Sequence, residues 1–247
     1  IEKIRNFLEQ EQNSGKTLFS YQSYSRKDVV LFESKIKIGL DAYKEIILEE
    51  EMGLELGGIN RKSFSLIIPV TNVSSINHGK ITLLGKEVNN ISEPSVDFGL
   101  IIIIGINNEA ESIKEELKHL NFISNGIEGF SIRTIPRRFW CRISTSALQN
   151  GFSFEFLGKA IIYLYSTKFE DLVKSIEVIF INSYPNSIKQ FIVLSSEILS
   201  EDKEKWKKKI NTWRKRIDCD YDWGCEICPY REECYNIKQI LISREEI

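Results

Sequence analysis

Apolar residues recur along this chain with two periods. Ile4, Phe7 and Leu8 fall on one face of a helix over residues 4–11, and Asn13-Ser14-Gly15 ends it. Helical spacing returns over 41–51, with Asp41 placed as the cap. It returns again over 110–120, where Ile113, Leu117 and Leu120 share a face away from Glu111, Lys114 and Glu115. Residues 154–165 carry Leu157, Ala160, Ile161 and Leu164 at the same spacing, and 187–199, 203–217 and 237–244 read as further helices. Residues 64–71, 81–84, 98–106, 139–143 and 176–181 are rich in Ile, Val, Leu and Phe and read as strands. The stretch 98–106 is apolar at nearly every position, the mark of a strand covered on both faces. Strands alternating with helices predict an α/β fold, a mixed sheet with flanking helices, over residues 1–200. Residues 201–247 read as a basic helix followed by a short Cys-rich, metal-binding segment.

Composition narrows the class. The chain has 247 residues, 42% hydrophobic and 28% charged, with 14 Gly, 5 Pro and 5 Cys. That excludes collagen-like, low-complexity and wholly disordered chains. A net charge of −2 gives nucleic-acid binding no support. The longest apolar run, 99–106, is far short of the roughly 20 residues a membrane helix needs. No apolar signal core stands in the first thirty residues. A cytoplasmic protein without membrane contact is the expectation.

The cysteines change the picture. Cys219, Cys225, Cys228 and Cys234 are separated by five, two and five residues. A Cys-x2-Cys pair turns two thiolates toward one point. Gly224 relaxes the backbone before it, and Pro229 fixes the exit. Four thiolates suit either a [4Fe–4S] cluster or tetrahedral zinc. Structural zinc sites usually pair two Cys-x2-Cys knuckles, and only one is present, so spacing favours the cluster, with zinc as the alternative. Disulfides do not fit a cytosolic chain. Cys141, on a strand, reads as a small buried apolar residue.

Several segments resemble one family. Leu54-Glu-Leu-Gly-Gly58, Gly79-Lys-Ile-Thr-Leu-Leu-Gly85, Trp140-Cys-Arg-Ile-Ser144, Gly151-Phe152 and Leu157-Gly-Lys159 stand in the order seen in the carbon monoxide dehydrogenase/acetyl-CoA synthase family, specifically the archaeal-type acetyl-CoA decarbonylase/synthase beta subunit. The resemblance implies a Cys-rich region holding a [4Fe–4S] cluster bridged to a two-nickel unit, through Cys-x2-Cys-x8-Cys-x9-Cys. Cys225, Cys228 and Cys234 match the first three positions, with the third interval shortened. Cys228 is the implied bridging sulfur, and Cys219 is the remaining candidate for the fourth ligand. The family's later Cys-Gly-Cys, which holds the distal nickel, does not occur in this sequence. Nickel is therefore not expected, nor complete acetyl-CoA synthase chemistry.

Two segments are candidates for substrate contacts. Trp140 and Arg142 lie on a strand that the resemblance places in the substrate-facing domain; the plainer reading is a packed Trp and a surface ion pair. The stretch 203–216 holds eight basic residues against the single acid Glu204, with Trp206, Ile210 and Trp213 forming an apolar stripe. Its Lys207, Lys208 and Arg214 are candidates for a CoA or acyl-thioester ligand, or for an acidic protein partner. The plainer reading is a solvated surface helix. Other chemistry is poorly supported. Gly15-Lys16-Thr17 mimics the end of a phosphate loop, but position 10 is Gln and no strand precedes it. His78 and His119 are the only histidines, and no nucleophile motif occurs. The expectation is an iron–sulfur protein related to acetyl-CoA synthase, taking part in acyl or one-carbon thioester transfer as a transferase-like metalloenzyme of anaerobic metabolism. The alternative is a non-catalytic protein, stabilised by iron–sulfur or zinc, that binds a partner or transfers electrons.

Overall fold

The computed structural model describes residues 1–23, 35–44, 46–58, 60–107, 114–135 and 138–198. Residues Ile1–Ser195 form one compact unit; a second, Ser196–Ile247, falls almost wholly outside the described residues. The basic stretch and the four clustered cysteines therefore lie outside them.

The first sheet joins β1 (Leu18–Gln22), β4 (Lys80–Leu84), β9 (Val173–Asn182), β6 (Phe98–Ile106) and β3 (Ser63–Val70), in that order. β4–β9 and β3–β6 are parallel, whereas β1–β4 and β6–β9 are antiparallel. The second sheet joins β5 (Ser95–Val96), β2 (Met52–Gly57), β8 (Arg138–Ser144) and β7 (Phe130–Ile135). The fold is α/β with mixed pairing, but it has two sheets where the sequence predicts one. β2 escapes a propensity reading because Met-Gly-Leu-Glu-Leu-Gly holds two glycines and a glutamate, residues depleted in strands. β7 alternates apolar and polar residues only over Phe130-Ser-Ile-Arg133, and the following Thr-Ile breaks the pattern.

Period-two alternation builds the core on β6, every residue of which is buried. Phe98, Leu100, Ile102, Ile104 and Ile106 enter the main cluster, together with Ile176, Val178 and Phe180 of β9. The opposite face meets the helices α1 (Glu2–Asn13) and α6 (185–198): Phe191 packs edge-on against Phe7 at 5.3 Å and stacks on Phe64 at 4.8 Å. On the main-cluster side lies α5 (Phe154–Lys168), capped by Ser153, whose hydroxyl accepts from the Phe156 amide. α5 buries residues on all sides, as a helix enclosed by protein must. Phe154 meets Phe98 and Phe180 of the first sheet, and Phe156 meets Phe152, which stacks on Phe130 of the second.

One predicted helix is absent. Among the described residues of 41–51 none is helical: 41 and 49–51 are in turns, 42–44 and 46–48 have no regular structure, and Asp41 has φ 52°. The three consecutive apolar residues 46–48 do not form a helical stripe: Ile47 is buried while Ile46 and Leu48 face solvent. The segment bonds outward instead, Tyr43 N–H to the Asn125 carbonyl at 2.7 Å and Thr145 N–H to the Glu51 carbonyl at 2.9 Å. Of the helix predicted over 110–120, the described part is α2 (Lys114–Leu117), with Leu117 and Leu120 buried as the pattern requires; Ile113 and Glu111 lie outside the described residues.

Gly158 lets α5 approach the first sheet. A Cβ there would lie 2.6 Å from Ile81 Cγ2 and 2.8 Å from Cγ1, and Ile81 is fully buried. Alanine favours a helix over glycine by about 1 kcal/mol, but overpacking a filled core costs about 1–3 kcal/mol. Gly158→Ala is therefore expected to destabilise by up to about 2 kcal/mol in urea unfolding, against the usual trend for helical glycines. A stabilised variant would contradict this packing.

Candidate functional site

The outward face of the second sheet holds the described candidates. Alternation on β8 turns Phe139, Cys141 and Ile143 into the core and leaves Trp140 and Arg142 on the other face. Trp140 stands between Gly57 of β2 and Arg133 of β7 in the register, and is half-buried. Arg142 stands between Glu55 and Ser131. Its Nε donates to Glu55 Oε2 at 2.9 Å, and its Nη1 to the Ile47 carbonyl at 3.1 Å. The ion pair is mostly sheltered, with 22% and 16% of the two side chains exposed. Arg142 thus ties the 46–51 turn to the sheet. Glu55 carried no sign of this role in the sequence, because cross-strand pairing depends on register.

β8 runs straight into α4 (Thr145–Gln149), capped by Ser144, whose Oγ accepts from the Ala147 amide at 3.1 Å. Between Ser144–Ser146 and the turn carrying Ile46, Glu50 and Glu51 lies an open depression. Two carboxylates at its edge make it acidic. It is a poor receptacle for a phosphate-bearing ligand.

The remaining candidates are held by structural bonds. Lys16 Nζ donates to Glu11 Oε2 at 2.6 Å and to Ser187 Oγ at 3.0 Å, so the Gly15-Lys16-Thr17 segment ties α1 to α6. His78 Nδ1 accepts from the Ile176 amide at 3.3 Å. The Gly79–Gly85 motif brackets β4. Gly85 has φ 144°, and Asn182, fully buried, closes the strand end by accepting from the Lys86 amide at 2.8 Å and donating to its carbonyl at 2.9 Å. A side chain at Gly85 would strike Asn182. Glu87, like Glu55, has no local sequence signal for its role. Its carboxylate accepts from the Tyr21 hydroxyl at 2.6 Å and from the Phe154 amide at the start of α5 at 3.3 Å. Burial, and then this carboxylate, push the Tyr21 phenol well up.

Among the described residues no group of three His, Cys, Asp or Glu could hold a metal ion, and no helix is long and apolar enough to cross a membrane. Cys219, Cys225, Cys228, Cys234, Lys207, Lys208 and Arg214 lie outside the described residues.

The motifs that resemble a family thus sit on strand ends, on the β8–α4 junction and on the α5 contact, all determinants of the backbone path. A profile of the CO dehydrogenase/acetyl-CoA synthase complex beta subunit family matches residues 35–186, more than half of the chain. The chain belongs to this family. It is 27% identical over 190 residues to an acetyl-CoA decarbonylase/synthase complex subunit beta of Methanothermobacter thermautotrophicus, covering 74% of this chain and 38% of that protein. It is 28% identical over 137 residues to the subunit of the same name from Methanopyrus kandleri, covering 54% and 29%. It is also 26% identical over 228 residues to the carbon monoxide dehydrogenase/acetyl-CoA synthase subunit alpha of Moorella thermoacetica, covering 85% and 30%. The chain thus spans well under half the length of these relatives. The Moorella match covers more of the chain than residues 1–186 could supply, so it is not confined to the region that the family profile matches.

Cys141 is 1% exposed, and burial pushes its thiol well above the usual range. In the native protein at pH 8, iodoacetamide is expected to leave the Cys141 peptide unmodified by mass spectrometry, and to alkylate it after denaturation. Rapid native labelling would contradict its position inside the second sheet.

Proposed function

We propose that this family member carries one [4Fe–4S] cluster through Cys219, Cys225, Cys228 and Cys234, and that the α/β domain supports acyl or one-carbon thioester transfer within a larger assembly. The observation that carries the proposal is the set of four cysteines that follows the family-matched region. Their chemistry fits the group: four soft thiolates, one Cys-x2-Cys pair among them, satisfy a cubane.

When bound, the cluster supplies Lewis acidity, or a sulfur-bridged anchor for a further metal. The rest falls to the chain's own residues. Trp140 offers an aromatic face for a CoA or acyl-thioester ligand. Arg142 holds the neighbouring turn through the Ile47 carbonyl while Glu55 balances its charge. Lys207, Lys208 and Arg214 belong to the basic stretch, which attracts ligand phosphates or an acidic protein surface. The relatives' names describe subunits of complexes, which supports a protein partner.

A second reading keeps the cluster, or zinc, without catalysis, so that the segment docks a partner or passes electrons. It is favoured by Arg142 being engaged twice within the fold. Anaerobic purification of the full chain separates the readings. The proposal expects a brown protein with about four iron and four sulfide per chain, whose electron paramagnetic resonance signal changes with acetyl-CoA. A cluster that reduces reversibly but ignores acetyl-CoA selects electron transfer. A colourless protein with stoichiometric zinc overturns the cluster.

A further inference from the structure

Four large apolar side chains are exposed among the described residues, and two of them, Ile46 at 67% and Leu48 at 50%, flank the buried Ile47 in one turn. Their exposure does not come from a loose loop. The Ile47 side chain is sunk to 3% exposure, and its carbonyl is gripped by Arg142 Nη1. Glu51 closes the turn twice: its carboxylate accepts from the Leu48 amide at 3.3 Å, and its amide donates to the Leu48 carbonyl at 3.2 Å. Its carbonyl is held in turn by the Thr145 amide at 2.9 Å and hydroxyl at 3.2 Å. The backbone thus presents two aliphatic side chains outward from a fixed frame, which spares a partner the entropy of ordering them.

The surroundings define what covers them. Glu49, Glu50 and Glu51 follow in sequence, all exposed, and Glu50 and Glu51 border the depression shared with Ile46 and Ser144–Ser146. Apolar anchors beside an acidic rim repel nucleic acid and anionic lipid, and match a basic protein segment. We propose that the 46–51 turn is a docking surface for a basic segment of a partner protein, whose large apolar side chains cover Ile46 and Leu48 while its Lys or Arg residues meet Glu49 and Glu50. This surface is independent of the cluster and of any thioester ligand.

The probe is a labelled synthetic peptide of Lys, Leu and Trp, with a control in which every Lys is replaced by Glu. Fluorescence anisotropy with the full chain is expected to show binding of the Lys peptide only, weakening as salt rises. Ile46→Ser/Leu48→Ser is expected to weaken it about tenfold, as for truncated central anchors. Glu49→Gln/Glu50→Gln, which leaves the apolar residues and the turn's bonds intact, is expected to weaken it severalfold and to flatten the salt dependence. Circular dichroism checks that each variant folds. Equal binding of the Lys peptide to wild type and both variants overturns the proposal, as does a failure of the Lys peptide to bind better than its Glu control.

Discussion

Phe98 is the point on which the fold turns. It is fully buried on β6, an inner strand of the first sheet, and stacks on Phe180 of the same sheet at 6.2 Å, on Phe154 of α5 at 6.1 Å and on Phe139 of the second sheet at 6.0 Å. Such pairs contribute about 0.5–1.5 kcal/mol each beyond the area they bury. The contacts make the two sheets and the helix between them parts of a single cluster rather than two cores. Everything on the outer face of the second sheet, Trp140 and Arg142 included, inherits its position from that cluster.

The outer face has a division of labour. Inward residues of β8 supply the packing, and outward ones supply polar connections. Arg142 is the residue through which the sheet reaches the 46–51 turn, with Glu55 neutralising it on a neighbouring strand. A fixed, acidic, partly apolar turn is a poor place for chemistry and a good one for recognition. In the proposed scheme the reactive part belongs to the cysteine segment, and the described domain is the platform that carries and connects it.

What could be read from the sequence follows the physics of each element. The strand at 98–106 was legible because a two-sided strand is apolar throughout. α5 was legible because its apolar residues repeat at helical spacing over four turns, although not that they would be covered on every side. The second sheet was largely hidden: β2 is glycine-rich, and its pairing with β8 is a long-range choice of register that local pattern does not encode. The false helix at 41–51 arose from three adjacent apolar residues, of which only Ile47 is drawn in. At the site, Arg142 and Trp140 stood out by family resemblance. Glu55, Glu87 and the Ile47 carbonyl did not, because hydrogen-bond partners distant in sequence leave no local trace.

Native-state hydrogen exchange tests the shared core most directly. Amides of Ile102 and Val178 in the first sheet and of Cys141 and Ile143 in the second should exchange through one common opening. Phe98→Ala should lower that opening free energy equally in both sheets, by about 3–5 kcal/mol. A second sheet that opens at its own lower free energy, unchanged by the substitution, would contradict the account.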